Sequence, residues 1–267
     1  MKKTILILLA MFLPVYLLAK TTFEESYKKI IPVKDKTGIE IRNTNGRVEI
    51  SSWDRDEVEI IAYKKVQGED KEKSRRYLSD IEIEIDDDEG MIEVDVDFPD
   101  KKEKSGGFFS WIFGNGGMNA SVAFEVKVPR TFDLNIRSTN GSVSVADCRG
   151  HIRLKTVNGK ITAQNVAGTL NAKSTNGKIK VYMTDVDPDE DMSLQTTNGS
   201  ITLSLPADIR AEVEARTTNG RISCDFPLDK EGSATKHRLD GYINGGGALL
   251  YLKTLNGNIS ILKNEAE

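Results

Sequence analysis

Arg137-Ser-Thr-Asn-Gly-Ser-Val-Ser-Val145 decides the fold, because the chain writes this stretch again and again. Copies centre on Asn45-Gly46, Asn140-Gly141, Asn158-Gly159, Asn176-Gly177, Asn198-Gly199, Asn219-Gly220 and Asn256-Gly257. From Asn140 onward the steps are 18, 18, 22, 21 and 37 residues. A recurring period of this size marks a repeat architecture.

Aligned on Asn, four columns stay apolar in every copy. Six residues before it stand Ile39, Leu134, Ile152, Leu170, Met192, Val213 and Leu250, and four before it Ile41, Ile136, Leu154, Ala172, Leu194, Ala215 and Leu252. Three after it stand Val48, Val143, Ile161, Ile179, Ile201, Ile222 and Ile259, and five after it Ile50, Val145, Ala163, Val181, Leu203, Cys224 and Ile261. All 28 positions are apolar, whereas the chain average of 38% predicts roughly 11, so the pattern is not chance. Spacing by two on each flank is the period of a strand with one buried face. Asn-Gly between the flanks supplies residues that tolerate positive φ.

A hairpin meander and a stacked solenoid can both use this unit. In the meander, Asn-Gly closes a two-residue turn. In the solenoid it is a corner between two strands of one coil. The 18-residue period fits two short strands and two corners, with Gly150 and Gly168 marking the second corner. Identical residue types recur in each column, as stacking at about 4.8 Å exploits. The Asn column and the Ser138, Thr156, Ser174, Thr196, Thr217 and Thr254 column can form side-chain ladders. The expected fold class is therefore all-β, a right-handed parallel β-solenoid of about 18–22 residues per coil, with an added β-hairpin region near the N-terminus.

Three parts follow. Residues 1–19 carry a basic start, an apolar run and Leu17-x-Ala19, the features of a secretory signal peptide. Residues 20–130 form an N-terminal β region holding the first repeat, a charged segment and an aromatic loop. Residues 131–263 form the regular Asn-Gly repeats. The formal net charge is −4, and −6 once Lys2 and Lys3 leave with the leader, which argues against nucleic acid as a partner. Localisation is expected to be exported: periplasmic, cell-surface or extracellular. Stacked in chain order, Cys148 and Cys224 lie four coils apart, about 19 Å, too far for a disulfide, so both are expected as free thiols.

Between the signal and the regular repeats, Val58, Ile60 and Ala62 alternate as a strand. Gly68 to Ser79 is highly charged and reads as a short helix or a loop. Ile81–Ile85 and Met91–Phe98 alternate strictly around the turn Asp86-Asp-Asp-Glu-Gly90, and their acidic outward positions would blunt a sheet edge. Phe108, Phe109, Trp111, Ile112 and Phe113 crowd one glycine-bracketed stretch. It reads as a cap over one end of the stack, or as a loop entering a membrane or a partner groove. The insertion Asp185-Val-Asp-Pro-Asp-Glu-Asp191 mimics the start of a calcium loop, but lacks the glycine and the final glutamate. Gly232 and Asn244-Gly-Gly-Gly247 lie in an irregular coil before a final repeat that is expected to end the fold.

Val126-Lys-Val-Pro-Arg130, the Thr/Val-Asn-Gly repeats at 18-residue steps and the closing Gly241–Ile261 segment resemble the bacterial putative-adhesin family of β-strand repeats, a domain of unknown function. The resemblance spans about residues 39–262. It implies an exported or envelope-associated β-solenoid and no catalytic residues.

The chemistry is sparse. His151 and His237 are the only histidines, and neither sits in a catalytic or metal motif. No catalytic, metal or cofactor residues are assigned, and the chain is expected not to be an enzyme. One outward column stands out, three residues before each Asn: Arg42, Arg137, Lys155, Lys173, Gln195, Arg216 and Lys253. A lesser one two residues after it holds Arg47, Lys160, Lys178 and Arg221. Either column is a solvated face or a basic stripe for an anionic glycan, an envelope polymer or a membrane surface, with Arg137, Lys155, Lys173, Arg216 and Lys253 as contacts. The expected function is a non-enzymatic binding, adhesin-like or scaffolding role. The alternative is a secreted glycan-active enzyme on a β-helix scaffold.

Overall fold

The computed structural model describes residues 21–87, 90–99, 118–229 and 233–264. The signal peptide read at 1–19 and the aromatic stretch at 108–113 lie outside the described residues. Among those described, the chain is all-β, with twenty strands and one helix. The strands form one hydrogen-bonded sheet arranged as two rows.

The first row holds the strands that lead into each Asn. Its order is β5 (Glu82–Asp86), β6 (Met91–Asp97), β2 (Gly38–Asn45), β8 (Asp133–Asn140), β10 (Arg149–Lys155), the second half of β11 (Ile161–Asn176), β13 (Met192–Asn198), β19 (Leu249–Asn256), β15 (Ala211–Asn219), β18 (Arg238–Ile243) and β17 (Ser233–Ala234). From β6 to β15 every pair is parallel. Hairpin partners close both ends antiparallel, β5 on β6 and β18 on β15.

The second row holds the strands that follow each Asn. Its order is β1 (Thr21–Pro32), β4 (Glu57–Gly68), β7 (Asn119–Pro129), β3 (Val48–Trp53), β9 (Val143–Ala146), the first half of β11, β12 (Ile179–Val186), β14 (Ile201–Leu205), β20 (Ile259–Lys263) and β16 (Ile222–Cys224). From β7 to β16 the pairs are parallel, and β4 and β1 add antiparallel strands at one end.

Equivalent residues of successive repeats therefore lie side by side: Leu134, Ile152 and Leu170 in the first row, Val143, Ile161 and Ile179 in the second. Among the described residues no Asn-Gly corner closes an antiparallel hairpin, so the meander is excluded at these corners. The four apolar columns line one core and are buried throughout, except Ile222 and Cys224. Those two sit on β16, the last strand of its row, and are only partly buried. At the opposite end, α1 (Lys71–Ser79) packs on β1 and β4 and buries Leu78. Its first turn is capped by Asp70, whose carboxylate accepts from the Lys73 N–H at 3.0 Å. Thus the helical option for the charged segment holds, and the helix closes this end of the core.

Three sequence expectations need correction. First, the final repeat does not end the stack. The strand β19 lies between β13 and β15, and β20 lies between β14 and β16. The spatial order of the corners is Asn45, Asn140, Asn158, Asn176, Asn198, Asn256, Asn219. After β16 the chain turns back antiparallel along β15 as β18, then passes through Asn244, Gly245 and Gly246, all with positive φ of 50°, 85° and 84°. That turn delivers the last repeat into the seat between its predecessors.

Second, most repeat glycines are not there for positive φ. Of the Asn-Gly glycines only Gly46 has one, at 123°. The reason is close approach. A Cβ on Gly159 would lie 1.9 Å from the Gly141 carbonyl oxygen, and one on Gly177 1.9 Å from that of Gly159. The corners stack backbone on backbone, and only glycine leaves room. Positive φ is needed instead at the second corner, where Gly150 stands at 139° and Gly168 at 96°.

Third, intercalation places Cys148 and Cys224 five coils apart rather than four, about 24 Å at strand spacing. Both are free.

The expected Asn side-chain ladder is present and continuous, whereas the Ser/Thr column bonds to backbone rather than to itself. Asn140 donates its amide to the Asn45 carbonyl oxygen at 2.8 Å, and the pattern runs on through Asn158, Asn176, Asn198 and Asn256 to Asn219. Thr156, Ser174, Thr196, Thr254 and Thr217 each donate a hydroxyl to the glycine carbonyl of the neighbouring corner, at 2.8–3.0 Å. The five buried hydroxyls are satisfied in this way, whereas the Ser138 hydroxyl and the Asn43 Oδ1, buried at the first two corners, have no hydrogen-bond partner among the described residues.

Candidate functional site

The parallel registers turn the outward column three residues before each Asn into a line across the first row. In space it reads Asp95, Arg42, Arg137, Lys155, Lys173, Gln195, Lys253, Arg216 and Arg238. Residues two positions earlier share the same face. They form a parallel line: Glu93, Glu40, Asn135, Arg153, Asn171, Ser193, Tyr251, Glu214 and Asp240.

Between the two lines runs a shallow groove of about 400 Å³. Its polar lining is Asn135, Arg137, Arg153, Lys155, Asn171, Lys173, Ser193 and Gln195, four cations with amides and a hydroxyl and no carboxylate. Lys155, Lys173 and Arg153 have no ion pair among the described residues. Two stacked ammonium groups about 4.8 Å apart repel by about 1 kcal/mol in water before salt screening. The groove therefore holds cations that an anion could relieve.

The flanks are different. At one end Arg42 is ion-paired with Glu40, Asp95 and Glu93, at 2.6, 2.8 and 3.2 Å. Arg137 comes within 4.0 Å of Glu40, whose other oxygen accepts from the Asn135 amide at 2.8 Å. At the far end Arg216 pairs with Asp240 and Glu214 and donates to the carbonyls of Ala215 and Leu239. Burial pushes the Asp240 carboxyl upward, but hydrogen bonds from Arg238 and Arg216 outweigh it and hold the group below its ordinary range.

Of the sequence-derived contacts, Arg137, Lys155 and Lys173 are adjacent and line the groove. Lys253 is separated from them by Gln195. Arg216 is ion-paired within the β15–β18 hairpin and so differs from the unpaired lysines of the groove. Sequence reasoning missed Arg153, Asn135, Asn171 and Ser193; strand period alone, applied two residues before the basic column, would have found them. The lesser column is interrupted by Ser142, Ser200 and Asn258, and Arg47 is paired with Glu49 and Glu125 at 3.2 Å each. The aromatic contacts Phe108, Phe109, Trp111, Ile112 and Phe113 lie outside the described residues.

The acidic insertion directs its carboxylates to separate partners. Asp185 pairs with Arg149 at 2.8 Å, Asp191 accepts the Leu249 N–H at 2.8 Å, and Glu190 accepts from the Thr169 hydroxyl at 2.9 Å. Glu190 also lies 3.1 Å from Nδ1 of His151. No group of three or more His, Cys, Asp or Glu side chains among the described residues is placed to hold a metal ion. Nor is any helix among them long and apolar enough to cross a membrane.

The family model described as Toastrack DUF4097 matches residues 30–262. Among solved structures, a putative cell adhesion protein from Clostridium sporogenes is similar at 11% identity, covering 91% of this chain and 100% of its own, with a TM-score of 0.46. A putative adhesin from Bacteroides fragilis is similar at 10% identity, covering 90% of this chain and 97% of its own, with a TM-score of 0.31. No curated protein matches.

Proposed function

The chain belongs to the Toastrack DUF4097 family, and from that premise we propose that it is an exported, non-enzymatic envelope protein that binds a linear anionic polymer along the groove of its first row. The observation that carries this reading is the sorting of charge on one face. Cations at the ends of the line are neutralised by carboxylates, whereas Arg153, Lys155 and Lys173 in the middle line a groove with no carboxylate in it. An acidic glycan laid along the stack would meet a cation at nearly every strand step, and Asn135, Asn171 and Gln195 could hydrogen-bond its hydroxyls. Single exposed contacts of this kind contribute about 0.2–1 kcal/mol, so affinity would come from several acting together. The architecture that goes with this reading is a right-handed solenoid with coils of 18–22 residues, supported by the parallel registers at 18-residue offsets.

The test is binding of an acidic polysaccharide, with anionic vesicles as comparison. Replacing Arg137, Lys155 and Lys173 together with Glu is expected to weaken glycan binding by tenfold or more and to flatten its salt dependence. Arg216→Glu is expected to cost stability instead. Unchanged glycan binding by the triple variant would reject the groove as the contact.

A further inference from the structure

We propose that β1 is a self-pairing edge: two copies of the chain join antiparallel through Thr21–Pro32, with the two-fold axis at Tyr27. Among the described residues β1 has β4 on one side and no strand on the other. It is twelve residues long, whereas the other terminal strands are short: five residues in β5, three in β16 and two in β17. The strand β5 is also guarded by outward Glu82, Glu84 and Asp86. A long open edge presents a row of backbone donors and acceptors that can add a strand.

What fits that edge is written in its own sequence. A two-fold axis perpendicular to the sheet maps one residue onto itself. Placed at Tyr27, it sets Glu25 opposite Lys29 of the second copy, Phe23 opposite Ile31, and Tyr27 opposite Tyr27. Opposed residues of an antiparallel pair share a face, so this face would carry two ion pairs around an aromatic pair, flanked by apolar pairs. Odd-numbered residues of β1 lie on the core side of the sheet, opposite Ala62 and Ile60 of β4. Yet Tyr27 is 42% exposed there. The charges are only loosely held within the chain, Glu25 at 3.6 Å from Lys64 and Lys29 at 3.5 Å from Asp87. Both distances are long for an ion pair and each pair keeps one partner at least partly in solvent, so re-pairing across the edge exchanges weak contacts for closer ones. Joining the edges would extend the second row without a break across both copies. This inference is independent of the groove, which lies on the first row.

Light scattering on the purified protein across a hundredfold concentration range should show twice the monomer mass at the high end. Glu25→Lys and Lys29→Glu should each shift dissociation to at least tenfold higher concentration, because each sets like charges opposite one another. The double exchange should restore dimerisation, which loss of the Lys64 or Asp87 contacts cannot explain. In a Cys224→Ser background, Tyr27→Cys should give a disulfide-linked dimer and Ser26→Cys should not, since only the former lies opposite itself. A monomer at every concentration would overturn the proposal, and so would a dimer indifferent to both charge reversals. A cross-link through Ser26→Cys alone would overturn the register.

Discussion

At the level of single residues, the fold turns on what lies beside each glycine and each asparagine amide. Gly159→Ala would drive a Cβ to 1.9 Å from a carbonyl oxygen in the next corner, which neither backbone can vacate. Urea unfolding is expected to show a loss of about 3 kcal/mol. Gly90→Ala is the contrast: φ is +53° but nothing lies within 4 Å, so about 1 kcal/mol is expected. Asn158→Ala removes two rungs of the amide ladder and should cost about 1–2 kcal/mol. Cysteine chemistry differs between the two thiols. Burial, reinforced by the nearby Asp147 charge, pushes Cys148 up to about 12, so thiolate-directed alkylation at pH 8 should label it only after unfolding. Half-buried Cys224 should label first. The Asp240 carboxyl titrates below its ordinary range in the folded protein. Its contribution to stability is therefore complete above the unfolded value near pH 4 and is lost as pH falls through the lower folded one. Between pH 7 and pH 3, Asp240→Asn should narrow the difference in urea midpoint.

Elements were legible in the sequence wherever period and corner coincide. The period of two and the steps of 18, 18 and 22 place β8 to β13 and their partners correctly, because each strand there pairs with its nearest repeat in the chain. The last repeat was misplaced for a definite reason. Columns specify which face of β19 is buried and which residue stands in register, but Leu252 fits beside Leu194 and beside Ala215 equally well. Alternation therefore fixes register and leaves neighbour order open; the Asn244–Gly246 turn decides it. The groove was half legible for a similar reason. Lys155 and Lys173 announce themselves as a column, while Arg153 is one arginine among neutral neighbours until the strands are laid side by side. Intercalation predicts an uncommon truncation result. Ending the chain after Ala248 removes the seat-filling strands, so β15 and β16 should lose amide-exchange protection although their own sequence is intact. Were the final repeat a mere terminal addition, only its own amides would be affected.

Across the whole molecule, two rows share one core, and the outward faces are left to charge. One end of the core is shut by α1; at the other, β18 pairs with β15 and Leu239 of β18 is buried. Because the rows bury their columns jointly, Ile179→Asp, which sets an unpaired charge among Ile161, Ile201 and their neighbours, should collapse the entire transition rather than one coil. A single calorimetric peak that disappears would bear this out. The position of the last repeat also bears on how the chain is made. During synthesis residues 211–224 emerge well before residues 249–263, yet they cannot take their final neighbours until those arrive. Until then the edges of β13, β14, β15 and β16 stay unpaired, as they would remain for good in a chain that stops early. Seating later-made strands between earlier ones thus makes synthesis through residue 263 a condition of closure. A chain stopped before residue 249 would display four raw strand edges to proteases, and one carried through residue 263 would display none of them.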